Sequence, residues 1–497
     1  MNFGHCMDLV GCDYSHIPLP VATLAALTPD GVDIAIVDEN VEPVPIETDA
    51  DVIAFSVMLA QRERFLYLAA AFKEQGKFVV VGGPVTRLLF EECRNHTDAV
   101  FVGEGEYTWP QFIDDYRAGL AKEEYRQEGW VDMKDSPIPR FDLLKSKHYA
   151  GASVQASRGC PYSCTYCDVP VNQGSTPRSK PIEKVIQEVR QLSLLGFDSV
   201  FFVDDIFSAN KIFAKKLLRA LIDANPTFST KMYYYTQDTL LVSNDEELLN
   251  LYFQAGFRRL FIGIETPNEK HLGAMSKKHN TFMDIRKSIE KIQSHGIIIW
   301  AGILFGLEEN TAGDFEEQKN FILETGILPV QTGLLQAMPE TALFEQMRTA
   351  GRLRKLPSVM GGAGLGDRYS GPTTNIVSSG LPEHELNSRF AVFLHEMFSP
   401  KSFDLLIHGI GRKVPNRALS TWPPITWNYL KTLFRTLGYY LFNRDRELRA
   451  LFLKVLFNGI SGRANNLDEL LFHLVIYKHM KIFYGNLAQL VSLRNAE

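Results

Sequence analysis

The chain has 497 residues, of which 45% are hydrophobic, 22% charged and 11% aromatic; at roughly 100–200 residues per domain it can build several, and its composition excludes the disordered and fibrous classes. A formal charge of −6, from 52 Lys+Arg against 58 Asp+Glu, excludes a general polyanion binder, so no nucleic acid partner is expected. Six cysteines in so long a chain are too few for a disulfide framework.

The opening MNFGHCMDLVGCD has no basic stretch followed by an apolar run, and no later run reaches the ~18 uncharged apolar residues of a membrane span. The expected location is the cytoplasm. Residues 1–126 read as a doubly wound α/β domain. Apolar runs at 33–38 (DIAIVD), 52–55, 78–81 and 99–102 alternate with helix-length segments, the pattern of a parallel sheet covered on both faces. Ligands of such sheets bind at the carboxyl ends of the strands. Here those ends carry Asp38-Glu39-Asn40, Ser56-Val57-Met58, Gly82-Gly83-Pro84 and Gly103-Glu104-Gly105-Glu106. Residues 127–149, with Pro137 and Pro139, read as a linker.

A second series of strands is predicted at 153–155, 199–203, 232–235, 259–264, 297–304 and 330–335, with amphipathic helices between them. Six βα units within residues 150–337 are too few for a closed eightfold barrel and suit an open (βα)6 barrel. Directly after its first strand, SRGCPYSCTYC places Cys160, Cys164 and Cys167 at C-x3-C-x2-C spacing. One short loop can then give three thiolates to an iron–sulfur cube that normally takes four, leaving one iron open. The plainer alternatives are a zinc site or unrelated core cysteines. For the scattered Cys6, Cys12 and Cys93, a core role is the better reading.

Beyond the glycine-rich segment 361–371 the pattern is helical at 383–398, 426–441, 446–457 and 467–483, so residues 338–497 form a mainly helical domain. From 401 onward there are 14 Lys+Arg against 6 Asp+Glu, a charge of +8 that leaves −14 for the rest. Trp422, Trp427, Tyr429, Phe434, Tyr439, Tyr440 and Phe442 alternate with Lys431, Arg435, Arg444, Arg446 and Arg449. Such a stripe fits a peripheral membrane contact or a large apolar ligand, and equally an ordinary amphipathic core.

The cysteine motif, with Tyr166 before its last cysteine, resembles the signature of radical S-adenosylmethionine enzymes, over about residues 151–336. The resemblance implies a [4Fe–4S] cluster on Cys160, Cys164 and Cys167, whose open iron chelates S-adenosylmethionine and cleaves it to a 5′-deoxyadenosyl radical. It also implies S-adenosylmethionine contacts at Tyr166, Asp204, Asp205, Gln237 and Glu265, which stand at or beside strand ends, where Asp and Thr are also common as ordinary helix caps. The segment from 19 to 119 is similar to the cobalamin-binding domain of one subgroup, through VDENVE, FSVM, VGGP and VGEGEYTWP. This implies cobalamin near Ser56, Val57, Met58, Gly82, Gly83, Pro84, Gly103, Glu104, Gly105 and Glu106, with the glycines admitting a flat corrinoid. No D-x-H-x-x-G motif is present, so the lower cobalt face is expected to lack a histidine. Residues 339–403 resemble the subgroup of hopanoid C-2 and bacteriochlorophyll ring methylases.

These resemblances imply cobalamin-dependent methylation of an unactivated carbon on a hydrophobic small molecule, with an external electron donor of flavodoxin or ferredoxin type. Radical cyclisation, rearrangement or oxidation without methyl transfer is the alternative within the family. A non-enzymatic cobalamin or cluster sensor is the alternative outside it. No catalytic acid or base is assigned.

Overall fold

A computed structural model describes residues 3–281, 283–354, 374–415, 427–460 and 467–494. The glycine-rich segment 361–371 and Trp422 lie outside the described residues.

After a short strand β1 (Tyr14–His16) and a helix at Leu19–Leu27, the N-terminal sheet contains β2 (Val52–Ser56), β3 (Phe78–Gly82), β4 (Ala99–Val102) and β5 (Glu124–Arg126), parallel and in sequence order. Its strands are apolar on both faces because both are covered. Val79 and Val81 pack with Phe65, Leu68 and Phe72 of helix Arg62–Glu74 on one side. On the other, Val80 and Phe101 pack with Trp109, Phe112 and Ile113 of helix Thr108–Arg117.

The run at 33–38 forms no strand. Its side chains alternate between half-buried and exposed, Val37 being 40% exposed, and apolar alternation without a partner edge makes no ladder. Its terminal Asp38 instead accepts a hydrogen bond from Tyr149 at 2.9 Å.

The second sheet begins with β6 (Tyr149–Val154). A two-stranded hairpin follows, β7 (Ser157–Arg158) against β8 (Arg178–Ser179), enclosing the cysteine loop. The sheet continues through β9 (Ser199–Phe202), β10 (Tyr233–Asp238), β11 (Phe257–Glu265), β12 (Ile298–Phe305) and β13 (Val330–Leu334). All six expected barrel strands form, in the order β6-β9-β10-β11-β12-β13, and β1 adds a seventh at the edge by pairing in parallel with β6. The chain start therefore belongs to the barrel, unlike the division at 126 drawn from sequence. A strand of three residues paired with one more than 130 residues away leaves no periodic trace.

The helices Glu383–Met397, Trp427–Leu441, Arg446–Ile460 and Leu467–Arg494 match the expected ones, and Pro400–Lys413 is additional. They share the barrel's core. One continuous apolar cluster runs from Phe3 and Cys6 through the strands to Phe390, Tyr477 and Leu487. Tyr484 takes a hydrogen bond from the Thr332 amide of β13 at 3.0 Å, and Phe472 stacks on Trp300 of β12 at 6.3 Å. The 127–149 segment is also packed, with Val131, Met133 and Phe141 at most 1% exposed.

Candidate active site

The cysteine loop sits at the carboxyl end of the barrel and is bound at both ends. Asp204, directly beyond β9 and fully buried, accepts from the Ala156 amide at 3.0 Å and the Ser157 hydroxyl at 2.5 Å. Asp205 accepts from the Gly159 amide at 3.1 Å, and the Cys160 amide donates to the Gly174 carbonyl at 3.1 Å. Gly159 adopts φ +99°, and a Cβ there would stand 2.7 Å from the Thr176 carbonyl oxygen, so only glycine passes this point. At the far side the Thr165 amide donates to Met275 O at 3.0 Å, and Thr165 O accepts from Leu343 N at 2.7 Å.

That second staple delivers Tyr166 to a buried charge cluster. The Tyr166 hydroxyl donates to Glu265 Oε1 at 2.9 Å, and Lys277 Nζ donates to the same oxygen at 2.6 Å. Lys277 Nζ also lies 3.2 Å from the Tyr166 hydroxyl. Burial alone would lower the Lys277 pKa, but the Glu265 carboxylate raises it overall, so the lysine stays charged. Burial, reinforced by Glu265, raises Tyr166 well above the usual phenol value.

Glu265 ends β11 at φ +66°, after a register shift against β12. Beside it, Gly263 and Gly302 face each other across the two strands. A Cβ on Gly263 would fall 2.4 Å from Glu265 Oε1 and 2.8 Å from Lys277 Nζ, and one on Gly302 would meet the Phe261 ring at 3.3 Å. The glycines therefore clear a cradle around a carboxylate at the carboxyl end of the barrel.

Below this level the barrel interior is aromatic. Along β10, Tyr234 packs outward among Phe202 and Phe257, while Tyr235 turns inward to stack on Phe201 at 4.9 Å and approach Trp300 at 5.8 Å. His16 of β1 bonds to the Tyr235 hydroxyl, and burial pushes its imidazole down to about 3. His16, Phe201, Tyr235, Gln237 and Phe261 nonetheless keep accessible surface.

Of the predicted S-adenosylmethionine contacts, Tyr166 and Glu265 meet directly and Gln237 lies on the inward face of β10. Asp204 and Asp205 are taken up in holding the loop backbone. Lys277 was not legible beforehand, since only the fold carries it to Glu265.

The predicted cobalamin residues divide similarly. Ser56, Met58, Gly82, Gly83 and Pro84 retain accessible surface at the ends of β2 and β3, while Val57 is 3% exposed. Gly83, at φ +93°, is a packing glycine, because its Cβ would strike Val57 O at 2.6 Å. Gly103 and Gly105 back onto Gln127 and Leu24, each 3.1 Å from an added Cβ. The Glu104 and Glu106 side chains point across to the cysteine hairpin, where Arg158 pairs with both at 2.7 Å. His16 lies in the barrel and His96 is exposed on its own helix, bonded to the Glu92 carbonyl at 2.8 Å, so neither approaches these loops.

Among the described residues, no three His, Cys, Asp or Glu side chains are close enough together to hold a single metal ion. Burial pushes the Cys160 thiol up to about 11 and Cys167 to about 12, and raises Cys164. Thiols in such a place become thiolates when iron takes their protons' place. A glycine-lined cradle with a fixed carboxylate beside three such thiols fits a cluster and its sulfonium ligand.

Comparison with known proteins agrees. The Radical SAM superfamily profile matches residues 154–322 and the B12 binding domain profile residues 10–113. An uncharacterized methyltransferase of Synechocystis sp. is 34% identical over 71% of this chain and 66% of its own length. The hopanoid C-2 methylase of Rhodopseudomonas palustris is 32% identical over 68% and 65%. The chain thus spans slightly less than two thirds of these relatives. The solved structure of OxsB, a cobalamin-dependent S-adenosylmethionine radical enzyme, shares the fold with a TM-score of 0.63 over 97% of this chain and 79% of its own, at 14% identity. The cofactor set of these two domains is a [4Fe–4S] cluster, S-adenosylmethionine and cobalamin. The chain belongs to the radical SAM superfamily, among its members with a B12-binding domain ahead of the barrel.

Proposed function

We propose that this protein is a cobalamin-dependent radical methyltransferase that methylates an unactivated carbon of a large hydrophobic molecule of terpenoid or tetrapyrrole type. The observation that carries the reading is the meeting of three parts at one end of the barrel: the thiol loop, the Tyr166–Glu265–Lys277 cluster and the carboxyl-end loops of the B12-binding domain. When bound, the cluster and S-adenosylmethionine supply the hydrogen-abstracting radical, and the corrinoid supplies the methyl group.

Cys160, Cys164 and Cys167 would hold the cluster, and Glu265, fixed by Tyr166 and Lys277, would orient the S-adenosylmethionine. The Gly263–Gly302 cradle gives it room. Ser56, Met58, Gly82 and Pro84 border the corrinoid. Phe201, Tyr235, Phe261 and Trp300 keep water from the barrel interior, as a reactive carbon radical requires, and give an apolar substrate its contact surface. The hopanoid C-2 methylase relative supports that substrate class. A low-potential electron must come from a separate donor of flavodoxin or ferredoxin type.

A peripheral membrane contact through the C-terminal helices fits such a substrate. Phe434, Leu441, Phe442, Leu453 and Phe457 are 41–85% exposed there, on a part of the chain with a charge excess of +8. Among the described residues no helix is long and apolar enough to cross a membrane.

Anaerobic reconstitution with iron, sulfide and cobalamin tests the reading. Wild type is expected to hold four irons and one corrinoid and to release 5′-deoxyadenosine under reduction. With a lipid extract and S-adenosylmethionine, it yields an apolar product heavier by one CH₂ per methyl transferred, and a methyl-labelled donor adds its isotope to that product. Cys160→Ala abolishes cluster assembly, 5′-deoxyadenosine release and label transfer. Corrinoid-free protein that cleaves S-adenosylmethionine at the wild-type rate and yields product of unchanged mass would replace methyl transfer by rearrangement.

A further inference from the structure

Two arginines on the hairpin that brackets the cysteine loop reach across to the B12-binding domain. Arg158 Nη1 lies 2.7 Å from Glu104 Oε1, and Arg158 Nη2 lies 2.7 Å from Glu106 Oε1. Arg178 Nη1 donates to both Glu104 oxygens at 3.0 and 2.9 Å and to the Val131 carbonyl at 2.6 Å. The Val131 amide returns a bond to Glu104 Oε2 at 2.8 Å, and Arg178 lies over the Trp130 ring at 5.2 Å. Arg158 Nε also donates to Gln155 Oε1, just past β6, at 2.8 Å.

Two cations thus balance two carboxylates where the side chains are only 4–15% exposed. Such a cluster is a poor source of net stability, because desolvating its members offsets most of their attraction. It does fix relative placement, since the planar guanidinium fork accepts only narrow geometries. The placement concerns the two loops that the proposed function assigns to the two cofactors. Glu104 and Glu106 follow β4, and Arg158 stands two residues before Cys160, with Gly159 immobilised between them by Asp205. A second strut runs parallel, from Arg87, beyond the Gly82–Pro84 turn, to the Val171 carbonyl behind the cysteine loop.

We infer that Arg158, with Glu104, Glu106 and Arg178, forms a positioning clamp that sets the distance and angle between the corrinoid and the iron–sulfur cluster, leaving the binding of each to other residues. The inference rests on the proposed cofactor assignment for its purpose, and on the ion cluster alone for the mechanical coupling. The clamp residues touch neither reacting atom, so their loss should separate the two half-sites without emptying them.

Hydrogen exchange on the purified chain tests the coupling. Glu106→Gln, a change confined to the B12-binding domain, is expected to raise exchange across the 157–180 hairpin about tenfold or more by easing its local opening, with β10–β12 protected as in wild type. Arg158→Met is expected to do the converse at 103–108, and Arg158→Lys, which keeps the charge but not the fork, to fall between. Exchange changes confined to the mutated domain would overturn the clamp.

In reconstituted protein, the dipolar interaction between the reduced cluster and cob(II)alamin reports their separation by electron paramagnetic resonance. Wild type should give one narrow distance, and Glu106→Gln a broad one at unchanged iron and corrinoid content. An unchanged distance, or loss of corrinoid from Glu106→Gln, would defeat the positioning role. Wild type that binds no corrinoid would defeat the proposed function, while the exchange experiment would still decide the coupling.

Discussion

At the scale of single residues the chemistry converges on Glu265. Its carboxylate was legible in the sequence because GIET follows an apolar strand at the end where barrel enzymes place ligands. Its partner Lys277 was not, since a lysine in the polar run Ser276-Lys277-Lys278-His279-Asn280 reads as solvated surface; here it is 6% exposed. The pair, at 2.6 Å, has an asymmetric cost. Removing one partner leaves an uncompensated buried charge at about 3–5 kcal/mol, whereas removing both is close to neutral. Glu265→Gln should therefore lower apo-protein stability by that amount, and Glu265→Gln with Lys277→Met should regain most of it. Both should lose S-adenosylmethionine affinity by at least about tenfold, the worth of one charge-assisted hydrogen bond. Thermal unfolding and calorimetric titration of reconstituted protein separate the two effects. Recovery of both stability and affinity in the double variant would remove Glu265 from the binding site.

At the scale of elements, the βα alternation of the barrel was readable because each strand is a continuous apolar run, and the thiol spacing was readable because it is local. How the loop is tethered was not. Asp204 and Asp205 have the composition of ligand contacts, yet both close onto the backbone of 156–159. That position gives the apo-protein a pH signature. Burial pushes the Asp204 carboxyl up to about 7 from 3.8, with the Ser157 hydroxyl and Ala156 amide opposing. A group that holds its proton more tightly when folded contributes its full stabilisation below the unfolded pKa and loses it as pH rises through the folded one. Between pH 4 and 7 this amounts to about 4 kcal/mol. Asp204→Asn cannot ionise, so its stability relative to wild type should climb over that window. Unfolding midpoints at pH 5, 6, 7 and 8 measure the divergence; parallel curves would mean that Asp204 does not titrate there.

At the scale of the molecule, the C-terminal helices have two faces with different work. One face belongs to the barrel: Phe472 lies against Trp300, Tyr484 bonds to β13, and Phe3 and His479 close the same region with rings 5.4 Å apart. Hydrophobic patterning recognised these helices but could not tell which aromatics face inward, and the structure divides them. Tyr440 and Tyr477 are fully buried, while Phe434, Phe442 and Phe457 are 60–85% exposed. Deleting the tail would strip the barrel core, so a lipid-binding test needs point changes on the outer face. Each phenylalanine that enters a headgroup region removes apolar surface from water, worth up to about 1.5–3 kcal/mol when burial is complete, and nearby basic residues add about 1 kcal/mol each on an anionic surface. The triple variant Phe434→Ser, Phe442→Ser, Phe457→Ser should keep the wild-type unfolding midpoint and lose at least about tenfold in sedimentation with phosphatidylglycerol vesicles. Raising salt should weaken the wild type on those vesicles and leave its smaller affinity for phosphatidylcholine unchanged. Equal sedimentation of wild type and variant would assign the exposed rings to something other than a bilayer, and the substrate would then have to reach the barrel from solution or from a carrier.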